Sequence, residues 1–226
     1  MILLALDSAT PSSVAGVLLP DGRVVEARDD PPPGSRGEHA ARLLPLAEQA
    51  LAEAGVGWEE LDRLAVGVGP GGFTGLRIGI ATARALAQAR GLPLVPVSSL
   101  EALALGAAGA ATPPVIAAVV DARRGEVFAA AWEGSRAVLA PAALAPATLA
   151  ERLRGVEAPV QAVGDGAVRF RQELTRAGVA VPADGSSAHR IGAAALCRLG
   201  AAGEPVDRDG LLPDYRREPD AKPPQR

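Results

Sequence analysis

The sequence predicts an α/β protein built from two related halves, each of βββαβα type. Three observations carry this. Short β-type apolar runs alternate with longer segments of helical spacing. Two segments start alike: Ile2–Asp7 and 115–121 are each an apolar run ending in an aspartate, then a polar turn and a second strand. Finally, 48% of the 226 residues are hydrophobic, ample for a core in one large domain or two small ones.

In the first half, Ile2–Asp7, Val14–Leu19 and Arg23–Ala27 read as a three-strand meander, with a turn at Pro20-Asp21-Gly22. Pro31-Pro32-Pro33-Gly34 reads as a rigid linker. Ser35-Arg36-Gly37-Glu38 has the spacing of a capping box, and the helix after it places Ala40, Leu43, Leu44, Ala47, Leu51 and Ala54 on one face. Gly55 should stop that helix, and Pro45 should break or kink it. Arg63–Val68 is a strand, followed by a glycine-rich loop and a helix over Gly75–Arg90 that stops at Gly91. A strand at Leu94–Val97 and a helix over Ser98–Leu105 complete the half. The second half repeats the order with strands at Val115–Val120, Val127–Trp132 and Arg136–Leu139, a helix near Ala147–Leu153, a strand at Val160–Val163 and two further helices. The boundaries expected are 1–105, 106–216 and a charged, proline-rich tail, 217–226, expected to be disordered.

Composition narrows the function. Lys+Arg total 23 against Asp+Glu 26, a net charge of −3, which argues against a self-sufficient nucleic-acid binder. No basic leader precedes the first apolar run and no apolar run approaches the roughly 20 residues a bilayer needs, so a soluble, cytoplasmic chain is expected. One cysteine, Cys197, and two histidines leave no Cys/His zinc cluster. Four positions after His39 stands Leu43, so no i, i+4 imidazole pair can grip a metal; His39 and His189 read as surface or capping residues. Ser98-Ser99 and Ser186-Ser187 lack a nucleophile elbow.

Gly67 through Gly72 satisfies G-x-G-x-x-G between a strand and a helix, but no acid follows the next strand to hold a ribose, and no Lys reaches a phosphate. The loop reads as a tight turn whose glycines (Gly69, Gly71, Gly72, Gly75) let the backbone approach another surface. Asp7 and Asp121 sit at strand ends, where catalytic acids occur, yet no converging set of carboxylates can be assembled; turn capping is the plainer role. The Gly75–Arg90 helix carries small residues every fourth position, Gly75, Gly79, Ala83 and Ala87. Leu76, Ile80 and Leu86 lie on one side and Ile78, Ala85 and Ala89 on another. A helix apolar on most sides must be buried on most sides. One side faces the sheet; the other needs the Pro45 helix or a second protein.

Leu4 through Thr10, His39 with Leu43-Leu44-Pro45, Gly67 through Arg77, Val97-Ser98-Ser99-Leu100-Glu101 and Asp121 through Val127 resemble, in order and spacing, the TsaB (YeaZ) family of threonylcarbamoyladenosine (t6A) tRNA modification. The string Gly69-Pro70-Gly71-Gly72-Phe73-Thr74-Gly75-Leu76-Arg77 is the most specific, and Pro213-Asp214-Tyr215-Arg216 resembles the family's C-terminal region. The likeness is good over about residues 1–130 and rests on element order over 131–210.

The resemblance implies an actin-like ATPase (ASKHA) fold of two ribonuclease-H-like halves. It implies a non-catalytic paralogue of TsaD, the subunit that carries a metal-binding His pair and transfers threonylcarbamoyl to adenosine 37 of tRNAs reading codons that begin with A. No cofactor or metal is expected. The nucleotide site near Asp7, Ser8 and Thr10 is expected to be degenerate. The implied partners are TsaD and the ATPase TsaE, with a homodimer when TsaD is absent and tRNA reached only through the complex. His39, Leu43, Leu46, Gly75, Gly79, Ala83 and Ala87 are the expected partner interface. An independent actin-fold enzyme, a sugar-type kinase or M22-like peptidase, is the competing reading.

Overall fold

Along the first strand the side chains alternate between two separate cores, Leu3 and Ala5 into one, Leu4 and Leu6 into the other, which makes this strand the centre of a sheet covered on both faces. The structure is a computed structural model and describes residues 1–32, 34–35, 37–109 and 113–217. In chain order its elements are β1 (Leu3–Asp7), β2 (Ser13–Leu18), β3 (Val24–Asp29), α1 (His39–Ala54), β4 (Arg63–Gly69), α2 (Phe73–Arg90), β5 (Leu94–Ser98), α3 (Ser99–Ala107), β6 (Val115–Arg123), β7 (Glu126–Glu133), β8 (Arg136–Leu144), α4 (Pro146–Arg154), β9 (Val160–Val163), α5 (Asp165–Arg169), α6 (Arg171–Arg176) and α7 (Ala193–Ala202).

The first sheet has the order β3-β2-β1-β4-β5; β1 runs antiparallel to β2 and parallel to β4. Helices α1 and α2 cover one face. The other face is covered by α7, which arrives from the end of the chain. The second sheet has the order β8-β7-β6-β9, and α3 packs on its β6 and β7. The last helix of each half therefore covers the other half's sheet, and α3 and α7 touch each other in the layer between. One buried cluster runs through this layer from Leu3 and Val95 to Ile116 and Phe128. A division at 105/106 follows the strand order but cuts through α3.

Several local expectations are corrected. Helix α1 runs through Pro45 without a break. The capping box at Ser35–Glu38 does not form: Glu38 is itself the residue before the helix, with no side-chain cap, so it stands three positions too early to play the reciprocal acid. Ala40 and Leu44 point outward, and Leu46 and Ala50 take their place in the core. In the second half β8 extends to Leu144, three helices follow β9 where two were expected, and a single bridge joins Gln161 to Ala180. Gly55 and Gly91 close α1 and α2 in the left-handed conformation, as glycines at that position should. Of the expected tail, Arg217 pairs with Glu126, while residues 218–226 lie outside those described.

Candidate functional site

Asp7 ends β1 beside the glycine loop that ends β4, and its side chain is 1% exposed. One carboxylate oxygen accepts the Ala9 amide at 2.8 Å; the other accepts the Ser99 hydroxyl at 2.6 Å. Ser99 Oγ in turn accepts the Gly69 amide at 3.2 Å. Burial pushes the Asp7 carboxyl above its ordinary pKa, against the lowering pull of the Ser99 and Ala9 bonds. Ser99 stands in the sequence reading only within the resembling string Val97–Glu101 and as lacking an elbow, with no role as the partner of Asp7; its position after β5, parallel to β4, was the available signal.

The glycines do what close approach requires. A Cβ on Gly67 would lie 1.7 Å from Asp7 Oδ2, one on Gly71 2.3 Å from the Ala9 carbonyl, and one on Gly75 2.0 Å from the Ser8 carbonyl. Gly69 also needs φ +102°, a conformation side chains resist. The Gly72 amide donates to Ala9 O at 2.7 Å, and Ser8 Oγ donates to Gly75 O at 2.9 Å. Thr10 lies half-buried in the same turn. A phosphate cradle needs backbone N–H groups aimed at open space. Here the Gly69 and Gly72 amides are given to acceptors of the same chain, and both Asp7 oxygens are taken. The arrangement holds the β1–β2 turn, the glycine loop and the start of α3 together.

The small-residue stripe faces inward. Gly75 and Gly79 lie against Ser8; Ala83 and Ala87 belong to the core that α1 and α2 share with the sheet. His39 opens α1 beneath Gly75, 8% exposed, with Nδ1 2.8 Å from Ser13 Oγ. Burial holds its imidazole below the ordinary His value, opposed by the charge of Asp29. It is neither a surface nor a capping residue. Leu43 and Leu46 are 1% and 3% exposed. All seven residues expected at a partner interface are thus buried inside the chain and offer a partner almost no surface. What α2 turns outward is an uncharged strip of Ile78, Ala81, Thr82, Ala85 and Ala89, half-buried or exposed, next to a polar one of Arg77, Arg84 and Gln88, and α1 adds Leu44, 42% exposed.

Asp121 in the second half takes the role of a turn anchor. It accepts the Arg123 amide at 2.9 Å and pairs with Arg169 at 2.7 Å. Arg124 and Gly125 make the two-residue hairpin, both at positive φ. The Asp121 amide donates to Asp165, whose carboxyl burial pushes up, with the charge of Asp121 adding to the effect. His189 accepts the Gly164 amide on Nδ1 and donates from Nε2 to Pro182 O. Cys197 is buried, and burial pushes its thiol up to about 12. Among the described residues no three His, Cys, Asp or Glu side chains converge as a metal site would require.

The structure is similar to that of the ROK hexokinase from Thermus thermophilus, with a TM-score of 0.51, 18% identity, and 89% of this chain and 99% of that one covered. At that identity the likeness concerns the fold alone, and it makes this an α/β protein of the actin-like ATPase fold. The family described as "TsaD: tRNA N6-adenosine threonylcarbamoyltransferase" matches residues 31–183. The chain is 34% identical to the Escherichia coli tRNA threonylcarbamoyladenosine biosynthesis protein TsaB, over 74% of this chain and 72% of that protein. The solved structure of YeaZ from Pseudomonas aeruginosa superimposes with a TM-score of 0.78 and 31% identity, over 95% of this chain and 99% of that one. The chain belongs to the TsaB (YeaZ) family, within the TsaD-related proteins. The first curated relatives are matched over less of their own length, 39% for a Mycobacterium leprae protein and 52% for the Haemophilus influenzae TsaB.

Proposed function

We propose that this chain is a non-catalytic scaffold subunit of cytoplasmic t6A synthesis, which binds a TsaD-type transferase and supports its modification of adenosine 37 in tRNAs reading codons that begin with A. The observation that carries the reading is the outward side of α2. Ile78, Ala81, Thr82, Ala85 and Ala89 recur at helical spacing with no charge among them, beside exposed Leu44 of α1. A surface helix ordinarily turns charge to water. This one carries Arg77 and Gln88 along one outer edge but turns a strip of alanine beside them, which lets another helix approach closely. The interface assigned to the inward stripe moves to these outward neighbours on the same two helices. TsaE joins the complex, tRNA is held by the assembly rather than by this acidic chain, and without TsaD the same face pairs two copies. Among the described residues no helix is long and apolar enough to cross a membrane.

Ala85→Glu tests the proposal. It places a charge on the outward side without touching the core, and a desolvated, unpaired charge should cost several kcal/mol of binding. The variant is expected to fold normally, to lose co-purification with TsaD of the same organism and to reduce t6A formation. Wild-type association and full t6A formation would refute the assigned face. An independent kinase or peptidase would need a cradle open to phosphate or a set of metal ligands; the closed loop around Asp7 favours neither.

A further inference from the structure

Helix α2 begins poorly. The residue before it is Gly72, with no side-chain cap, and the loop ahead of it contains three glycines within four residues. The first four N–H groups of a helix lack intrahelical partners, and a glycine-rich approach has high conformational entropy. Such a start frays unless something outside the helix holds it. The described end of the chain runs to that place. After α7, the Val206 amide donates to Leu94 O at 2.7 Å on the edge of β5. Leu211 is fully buried in the core shared by α1, α2 and the first sheet, and its carbonyl accepts Arg84 Nη2 at 2.7 Å. The Asp214 amide donates to Val68 O at 2.8 Å, one residue before the glycine loop.

Tyr215 then stacks on Phe73, the first residue of α2, with centroids 5.6 Å apart and planes 25° from parallel. The Arg77 guanidinium lies 3.9 Å from the centroid of the same ring, and its Nε donates to the Tyr215 hydroxyl at 3.1 Å. Arg217 leaves the first half altogether: it pairs with Glu126 and lies 5.8 Å from the centroid of Phe128, at the start of β7. Aromatic and cationic groups at a helix start are ordinarily surplus to folding. Here they are gathered from positions 73, 77 and 215 onto one spot.

We propose that residues 204–217 are a positioning strap, which fixes the glycine loop and the first turn of α2, ties them through Arg217 to the second half, and so sets the orientation of the outward α2 face. The last clause rests on the partner reading above; the fixing of the helix start does not. Leu211 and the Phe73–Arg77–Tyr215 cluster are positioning residues: the strap holds the uncapped first turn by packing and side-chain contacts.

Hydrogen exchange on the whole chain tests it. In Tyr215→Ala, the amides of residues 68–77 should exchange about tenfold faster, with those of β1, β2 and β6 unchanged. Leu211→Asp should enlarge the same pattern. Exchange that stays at the wild-type rate in Tyr215→Ala, or rises equally in every strand, overturns the strap. Capture of TsaD should weaken about tenfold in Tyr215→Ala alongside the faster exchange; faster exchange at residues 68–77 with undiminished capture overturns the orienting role. Ala85→Glu separates the two readings, since it should abolish capture and leave exchange at residues 68–77 untouched. Capture that survives Ala85→Glu refutes the partner face, while the exchange pattern of Tyr215→Ala still decides the strap.

Discussion

Gly67→Ala tests whether the glycine loop is shaped by Asp7. The added Cβ would stand 1.7 Å from Asp7 Oδ2, 2.6 Å from its Cγ and 2.9 Å from Ser99 Oγ. Ordinary contact is ~3.5 Å, so the carboxylate must move by more than 1 Å or β4 must yield. Neither is cheap. The 2.6 Å bond from Ser99 cannot survive the displacement, and Asp7, 1% exposed, has no water to replace it. Loss of a hydrogen bond to a buried charged group costs about 1.5–3 kcal/mol, and overpacking a filled site about 1–3 kcal/mol. The sum, about 2.5–6 kcal/mol, corresponds to a fall in Tm of roughly 5–24 °C for a chain of this size. Urea and thermal unfolding followed by circular dichroism measure it. The cause is isolated by repeating the change in an Asp7→Ala background, where the obstructing atoms are gone: the added cost of Gly67→Ala should fall by at least ~1 kcal/mol. A loss under ~1 kcal/mol in the single variant, or strict additivity in the double, would show that the closeness of Asp7 is not what requires glycine at 67.

Further outcomes follow from the same geometry. Burial raises the Asp7 pKa in the folded protein, so its contribution is fully present below the ordinary carboxylate value of about 3.9 and is lost as pH rises through the raised one. The stability of wild type relative to Asp7→Asn should therefore decline between pH 4 and pH 7, and a pH-independent difference contradicts this. His39 is held below the ordinary His value of about 6.5; its contribution is present above that pH and is lost as pH falls through the depressed value. Wild type should lose more stability than His39→Gln between pH 7.5 and pH 5, by urea midpoint. Calorimetry of the isolated chain should find no micromolar affinity for ATP; such affinity, abolished by Asp7→Ala, would overturn the non-catalytic reading.

How much the sequence disclosed depended on how local the cause was. Gly55 and Gly91 ended their helices where expected, because a left-handed residue is a requirement of the helix end itself. The strand ending in Asp7 and the order of strands and helices as far as β9 were equally legible, whereas β6 runs past Asp121 to Arg123 and three helices, not two, follow β9. Pro45 was misjudged: the helix carries the proline in its interior, where local propensity yields to the burial of Leu43, Leu46 and Ala47 around it. The direction of the α2 stripe was not legible. Glycine and alanine at every fourth position permit close approach without saying to what, and the neighbour, Ser8, lies 67 residues earlier in the chain. The exchange of α3 and α7 between the sheets was hidden for the same reason, since amphipathic spacing marks a buried face but not whose sheet buries it. That Tyr215 joins Phe73 and Arg77 was not legible either, because 138 residues separate it from Arg77.

The closed loop and the outward alanines are two consequences of one arrangement. An open phosphate cradle must keep its amides free and its glycines apart from protein. Here Gly67, Gly71 and Gly75 are pressed against Asp7, Ala9 and Ser8, which draws α2 down onto the β1–β2 turn along the Gly75–Ala87 stripe. A helix seated that deeply meets the core with its small residues and with Leu76 and Ile80. Ile78, Ala81, Ala85 and Ala89 are then left on the far side. Alanines exposed there bury little area each, so the free chain tolerates them in water. A second helix packed along them would gain contact over the helix length. The loop that an open cradle would offer to a phosphate is closed here by the seating of a helix, and the seated helix keeps an uncharged strip on its outer side.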